Sequence, residues 1–212
     1  MELHFYPGQK LLVLLDGNTK ARSYEAWGGP ASIGNDPRMA EEPTWPGHYV
    51  IAESHAYRTN TWQLSRIKWG TPLKDKPDIN DVWYQLTNGN WASIKNDHQI
   101  ERQQIINLYY DLYNLRKVPS VWVFNDFGPI AIRWYKDLNG NRRMDGSERL
   151  SGQMFHTTPD NEAQQSTGKP IIMTFSHGCI HLKPNEKDLL ITAGAFKPGT
   201  TFIVHKYHET FK

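Results

Sequence analysis

No aliphatic run in this chain is longer than Leu11 to Leu15, and that fact narrows what the chain can fold into. A membrane-spanning helix needs about 20 consecutive apolar residues, so no membrane span is expected. The run is also too short for the core of a secretory signal, and Glu2 precedes it where a basic flank belongs. The sequence as given is therefore expected to carry no export signal and no anchor. What remains are short apolar stretches cut by Gly, Pro, Asn and Asp, the pattern of short strands joined by turns. With 212 residues, the expectation is mainly β: one compact domain over 1–212.

Lys10 to Leu15 leads into Asp16-Gly17-Asn18, a hairpin signal, with Lys20 to Trp27 as the return strand. Gly28 to Pro46 reads as loop, and His48 to Ile51 as a further strand. Thr61 to Gly70 alternates imperfectly and reads as an edge strand. Val121 to Phe127 and Ile130 to Lys136 flank Gly128-Pro129 and are expected to pair. One stretch breaks the β pattern: Ile105, Leu108, Tyr109, Leu112 and Leu115 or Arg116 recur at helical spacing. The spacing predicts a helical insert over about 96–117, roughly five turns long, begun near Asn96-Asp97 and ended by Pro119. A short helix over Asn185 to Ala193 and a last strand through Val204 complete the chain. Nothing repeats internally.

The charge is nearly balanced, with 24 Lys plus Arg against 22 Asp plus Glu, so no basic field marks a nucleic-acid partner. Hydrophobic residues at 38% and charged residues at 22% argue against disorder. The 12% aromatic share suits strand-rich cores and grooves for polar substrates. There is a single cysteine, Cys179, so no internal disulfide can form and the redox compartment is not legible.

That cysteine lies in Ser176-His177-Gly178-Cys179-Ile180-His181, with Phe155-His156-Thr157 upstream. A thiolate is the reactive form of cysteine, and a histidine in hydrogen-bond reach can take its proton and return it to a leaving amine. His156, brought alongside on a neighbouring strand, is the better general base than His177. Gly178 allows a bend that turns its own N–H and that of Cys179 toward a developing oxyanion. Together these residues suggest acyl transfer by a cysteine nucleophile.

The block resembles the signature of L,D-transpeptidase catalytic domains (the YkuD type). Thr44-Trp45-Pro46-Gly47-His48-Tyr49 is similar to that family's Thr-Pro-x-Gly-x-Tyr/Phe stretch with one residue inserted, and Pro198-Gly199-Thr200 is similar to its end. The resemblance implies a single mostly β catalytic domain, a YkuD-like β-sandwich, that acts on peptidoglycan stem peptides without a cofactor. It implies attack on the carbonyl before the terminal D-Ala of a tetrapeptide stem. The acyl-enzyme then passes to an amine, giving a crosslink or D-amino-acid exchange, or to water, which is L,D-carboxypeptidase activity. Carried over, Cys179 is the nucleophile, His156 the base and His177 a catalytic neighbour. Gly178, Ser176, His181 and Thr157 form the oxyanion and substrate side.

The chain departs from the family at two of these positions. His181 stands where the family often has Arg, and Thr157 where Gly or Ser is common. His181 has two readings, a polar residue at a strand end or a substrate contact.

Two other chemistries use some of the same residue types. His156, His177, Cys179 and His181 are all zinc-ligand types, but their spacing is not the usual one, and no metal is expected there. Asp137, Asn139, Asn141, Asp145 and Glu148 match calcium-loop positions, yet Arg142 replaces the turn glycine and a strand precedes the loop, so calcium and a plain polar turn both stay open. Trp62, Trp69, Trp83 and Trp91 read as core before glycan surface.

A peptidoglycan enzyme without an export signal is expected to have had one removed, which the initiating Met1 argues against, or to act in the periplasm or cell envelope after delivery by secretion machinery as an antibacterial effector, with an immunity protein as partner. Otherwise it trims recycled stems in the cytoplasm. The rival of another class is a peptidoglycan-binding module without turnover.

Overall fold

Apolar residues alternate along the first strand, where Leu3 and Phe5 have no exposed surface because successive strand side chains point to opposite faces, while Leu12, Val13 and Leu14 of the next strand are all buried. In the computed structural model, which describes residues 1–17, 19–35 and 40–212, this pattern builds eleven strands and four α-helices. Asn18 of the expected hairpin turn and residues 36–39 of the expected loop lie outside the described residues. The strands are β1 Glu2–Tyr6, β2 Leu11–Asp16, β3 Thr19–Trp27, β4 Gly47–His55, β5 Leu73–Lys76, β6 Asp81–Gln85, β7 Trp91–Ser93, β8 Ala131–Tyr135, β9 Leu150–His156, β10 Ile180–Leu182 and β11 Thr201–Val204. The helices are α1 Ile94–His98, α2 Arg102–Tyr113, α3 Pro159–Ser166 and α4 Pro184–Thr192. No helix among the described residues is long and apolar enough to cross a membrane.

The chain divides into two compact units. The first holds residues 1–55, 131–157 and 171–212, and its strands form a closed circuit in the order β1-β11-β4-β8-β9-β10-β3-β2. Neighbours run antiparallel except β1 with β11 and β9 with β10. The mainly β expectation holds, with the two layers expected of a sandwich realised as one sheet that returns to its first strand. Trp134, Phe155 and Phe202 meet inside it with ring centres 4.8–5.0 Å apart. Such contacts add to area burial through edge-to-face geometry.

The second unit comprises residues 56–130 and 158–170. Its three-stranded sheet β5-β6-β7 lies in one cluster with α1 and α2, centred on Val82, Ile94, Ile105 and Trp122, each fully buried. The expected helix over 96–117 is two helices. Gln99 takes a left-handed conformation at φ 57° and ends α1, and α2 restarts with a reciprocal capping box between Glu101 and Gln104.

Two expected strands are corrected. Thr61 to Gly70 carries a short 3-10 turn over Leu64–Arg66 and no strand. Val121 to Phe127 does not pair with β8, whose partners are β4 and β9. Its alternation reports burial, since Trp122, Phe124 and Asn125 are all inside the second unit, and Val121 makes only an isolated bridge to Pro72.

The Asp137-to-Glu148 loop is held by its own groups. Asp137 accepts from the Gly140 and Arg142 N–H groups, and Asp145 accepts from the Asn139 and Asn141 amides. Arg142 adopts φ 58°, the conformation for which the missing glycine would be chosen. Among the described residues no group of three His, Cys, Asp or Glu is arranged to hold a metal ion.

Candidate active site

β9 and β10 run parallel with Phe155 opposite Ile180 and His156 opposite His181. Phe155 and Ile180 are fully buried in the barrel, so the two histidines share the other face. Their rings stand 4.7 Å apart at 74°. The expectation that a neighbouring strand carries His156 beside the cysteine segment is met by this pairing. His177 is exposed on the loop before the strand.

His156 Nδ1 lies 2.8 Å from the Thr157 carbonyl oxygen. That contact puts the hydrogen on Nδ1 and leaves Nε2 as the accepting nitrogen. The orienting group is thus the Thr157 backbone carbonyl, and the Thr157 side chain is itself fully buried. His181 Nδ1 is held similarly, 3.3 Å from the Thr174 carbonyl.

Burial sets the protonation of the site. Loss of solvent pushes the His156 pKa down to about 3, aided by the neighbouring His181 and opposed by the Thr157 hydrogen bond. Burial likewise pushes His181 down to about 4. The Cys179 thiol is pushed up to about 11 by burial, while the Met154 N–H and the Arg133 guanidinium act in the opposite direction. The resting state is therefore a neutral thiol and neutral imidazoles, since removing charges from water favours the uncharged form of each. Chemistry from this state requires a proton transfer as the sulfur attacks.

The loop that presents the cysteine is fixed by buried polar contacts. Thr44, with no exposed surface, donates from Oγ1 to the Gly178 carbonyl at 2.9 Å and accepts from the Gly29 N–H at 3.1 Å. Ser176 Oγ donates to the Cys179 carbonyl and accepts from the Gly178 N–H at 3.1 Å. The Gly178 N–H is therefore engaged by Ser176, which corrects the expectation that it faces an oxyanion. Gly178 has φ 105°, and a Cβ there would lie 2.4 Å from Gln153 Nε2, so both conformation and space demand glycine. Gln153 is itself fixed, donating to the Pro43 carbonyl at 2.9 Å and accepting from the Trp45 N–H at 3.2 Å.

Sequence reasoning took Thr44 as part of a motif without a role and passed over Gln153 and Arg133. The signal for Thr44 was its place beside Trp45-Pro46-Gly47. Gln153 and Arg133 carried none, because their positions depend on strand register.

The arrangement offers a thiol, an imidazole with an oriented accepting nitrogen, and a rigid glycine turn. That is the equipment of cysteine-based acyl transfer. The chain belongs to the L,D-transpeptidase catalytic domain family (YkuD), which matches residues 5–204. Among solved structures it is similar to an L,D-transpeptidase from Xylanimonas cellulosilytica at 10% identity and a TM-score of 0.41, covering 96% of this chain and 59% of that one. It is also similar to L,D-transpeptidase 1 of Mycobacterium tuberculosis, at 13% identity and a TM-score of 0.37 over 96% and 60% of the two chains. An L,D-transpeptidase from Mycobacterium smegmatis matches at 13% and 0.36 over 96% and 57%. The chain thus spans about three-fifths of the length of these proteins. Comparison with curated proteins gives no match.

Proposed function

We propose that this chain is a cysteine acyl-transfer enzyme of the L,D-transpeptidase type acting on peptidoglycan stem peptides, as one catalytic domain over 1–212. The observation that carries the reading is the Thr157 carbonyl on His156 Nδ1, which orients an uncharged base on the strand beside the cysteine. His156 Nε2 takes the thiol proton as Cys179 Sγ attacks the carbonyl carbon before the terminal D-Ala. The Cys179 N–H takes the oxyanion. Collapse breaks the C–N bond, the proton passes from His156 to the departing amine, and D-Ala leaves a thioester behind. Water or a second amine then attacks with His156 again as base, and the thiol is restored.

The reading covers both acceptors, water with release of a tripeptide stem and a second amine with a crosslink, and the masses of the products tell them apart. An uncharged thiol supports a specific test. Simple alkylation needs thiolate and is expected to be slow, whereas an acylating probe is helped by the base. A carbapenem should form a covalent adduct on Cys179 detectable by mass, absent in Cys179→Ala and slowed on the order of 100-fold or more in His156→Gln. An adduct that forms as fast in His156→Gln as in the parent would remove the base from the account. No adduct in the parent protein would favour a binding module.

A further inference from the structure

The register around Cys179 sets side chains in two rows on one face of the sheet. Ile132 pairs with Phe155 and Phe155 with Ile180, and all three are fully buried in the barrel. Side chains alternate along strands, so their neighbours Arg133, Met154 and Cys179 form a row on the opposite face; Arg133 is directly paired with Met154. The second row is His156, His181 and Trp27, paired across β9, β10 and β3.

Charge is divided unequally between the rows. The Arg133 guanidinium is half-buried, acts on the thiol electrostatically, and is steadied by donation from Nη2 to the Ser151 carbonyl at 3.0 Å. The imidazoles of the second row are uncharged at neutral pH. Beyond them, Lys10 Nζ stands 3.5 Å from the centre of the Trp27 ring.

A stem peptide cut before its last residue carries its terminal carboxylate within about 4 Å of the scissile carbonyl, one residue further on. Strands spaced about 4.8 Å apart put Arg133 and Cys179 two steps, or roughly 10 Å, apart at their Cα atoms. An arginine side chain closes most of that span and offers a planar fork matched to a carboxylate. We propose that Arg133 is the specificity-determining residue for the donor: its guanidinium takes the free α-carboxylate of the departing D-amino acid, so that the site reads a free C-terminus.

The inference rests on the stem-peptide reading above, and its test separates the two. kcat/KM is measured for a tetrapeptide stem ending in free D-Ala and for its C-terminal carboxamide, with the parent chain and with Arg133→Met, Arg133→Lys and Lys10→Met. The parent is expected to favour the acid about tenfold to a hundredfold, the range for a hydrogen-bonded charge. Arg133→Met should abolish that preference by raising KM for the acid, while loss of the charge that acts on the thiol lowers kcat alike on both substrates. Arg133→Lys should keep part of the preference, and Lys10→Met all of it. An unchanged acid-to-amide ratio of kcat/KM in Arg133→Met, however far both rates fall, or a collapse caused by Lys10→Met overturns the assignment. Equal parent rates on the two substrates overturn it alone, whereas a parent that turns over neither overturns the stem-peptide reading and this inference together.

Discussion

His156 and His181 titrate near about 6.5 in an unfolded chain, but the fold buries both. Burial and the adjacent His181 lower the His156 pKa to about 3, and burial lowers that of His181 to about 4. Between the unfolded value and these native values the unfolded chain binds protons that the fold refuses, so stability falls as the pH falls. The loss is at most about 1.4 kcal/mol per pH unit for each imidazole, and above about pH 6.5 neither contributes a slope. The urea midpoint is therefore expected to hold near neutrality and to decline steadily toward about pH 4, with a shallower decline in a His156→Gln, His181→Gln double variant. Equal slopes in the two proteins would contradict the burial of uncharged imidazoles. The residue types of the site were legible in the sequence because Ser176-His177-Gly178-Cys179 is contiguous. Thr44 on the Gly178 carbonyl and Gln153 against Gly178 were not, because distant segments meet there only after folding.

At the scale of elements, the second unit is organised by its own apolar cluster. Ile105, fully buried on α2 within that cluster, leaves a cavity when truncated, and Ile105→Ala is expected to destabilise the fold by about 2–5 kcal/mol. Thermal unfolding checks this, and a change within about 0.5 kcal/mol, typical of a surface site, would mean the cluster does not hold α2. The helical spacing that led to Ile105 was readable because a 3.6-residue period spans several turns. The break at Gln99 was not, since a left-handed residue other than glycine or asparagine leaves little trace in sequence. Val121 to Phe127 misled for a physical reason: an alternating apolar pattern records a buried face and does not name the strand that pairs with it. β2, β3, β4 and β11 were each anticipated where turn residues bounded a short apolar run, and α4 was anticipated one residue late.

For the whole molecule, the neutral thiol and the oriented His156 are one argument for a single activity. Purified tetrapeptide muropeptides, incubated with the protein and with Cys179→Ala and read by mass spectrometry, test it most directly. The account predicts loss of one D-Ala from each stem with the parent chain and at least a 10,000-fold slower reaction, on the order expected for loss of a nucleophile, with the variant. Dimers joined through their third residues would keep the nucleophile and change the acceptor from water to amine. Release of D-Ala that persists in Cys179→Ala, or no cysteine-dependent product of any kind, would contradict acyl transfer at this site.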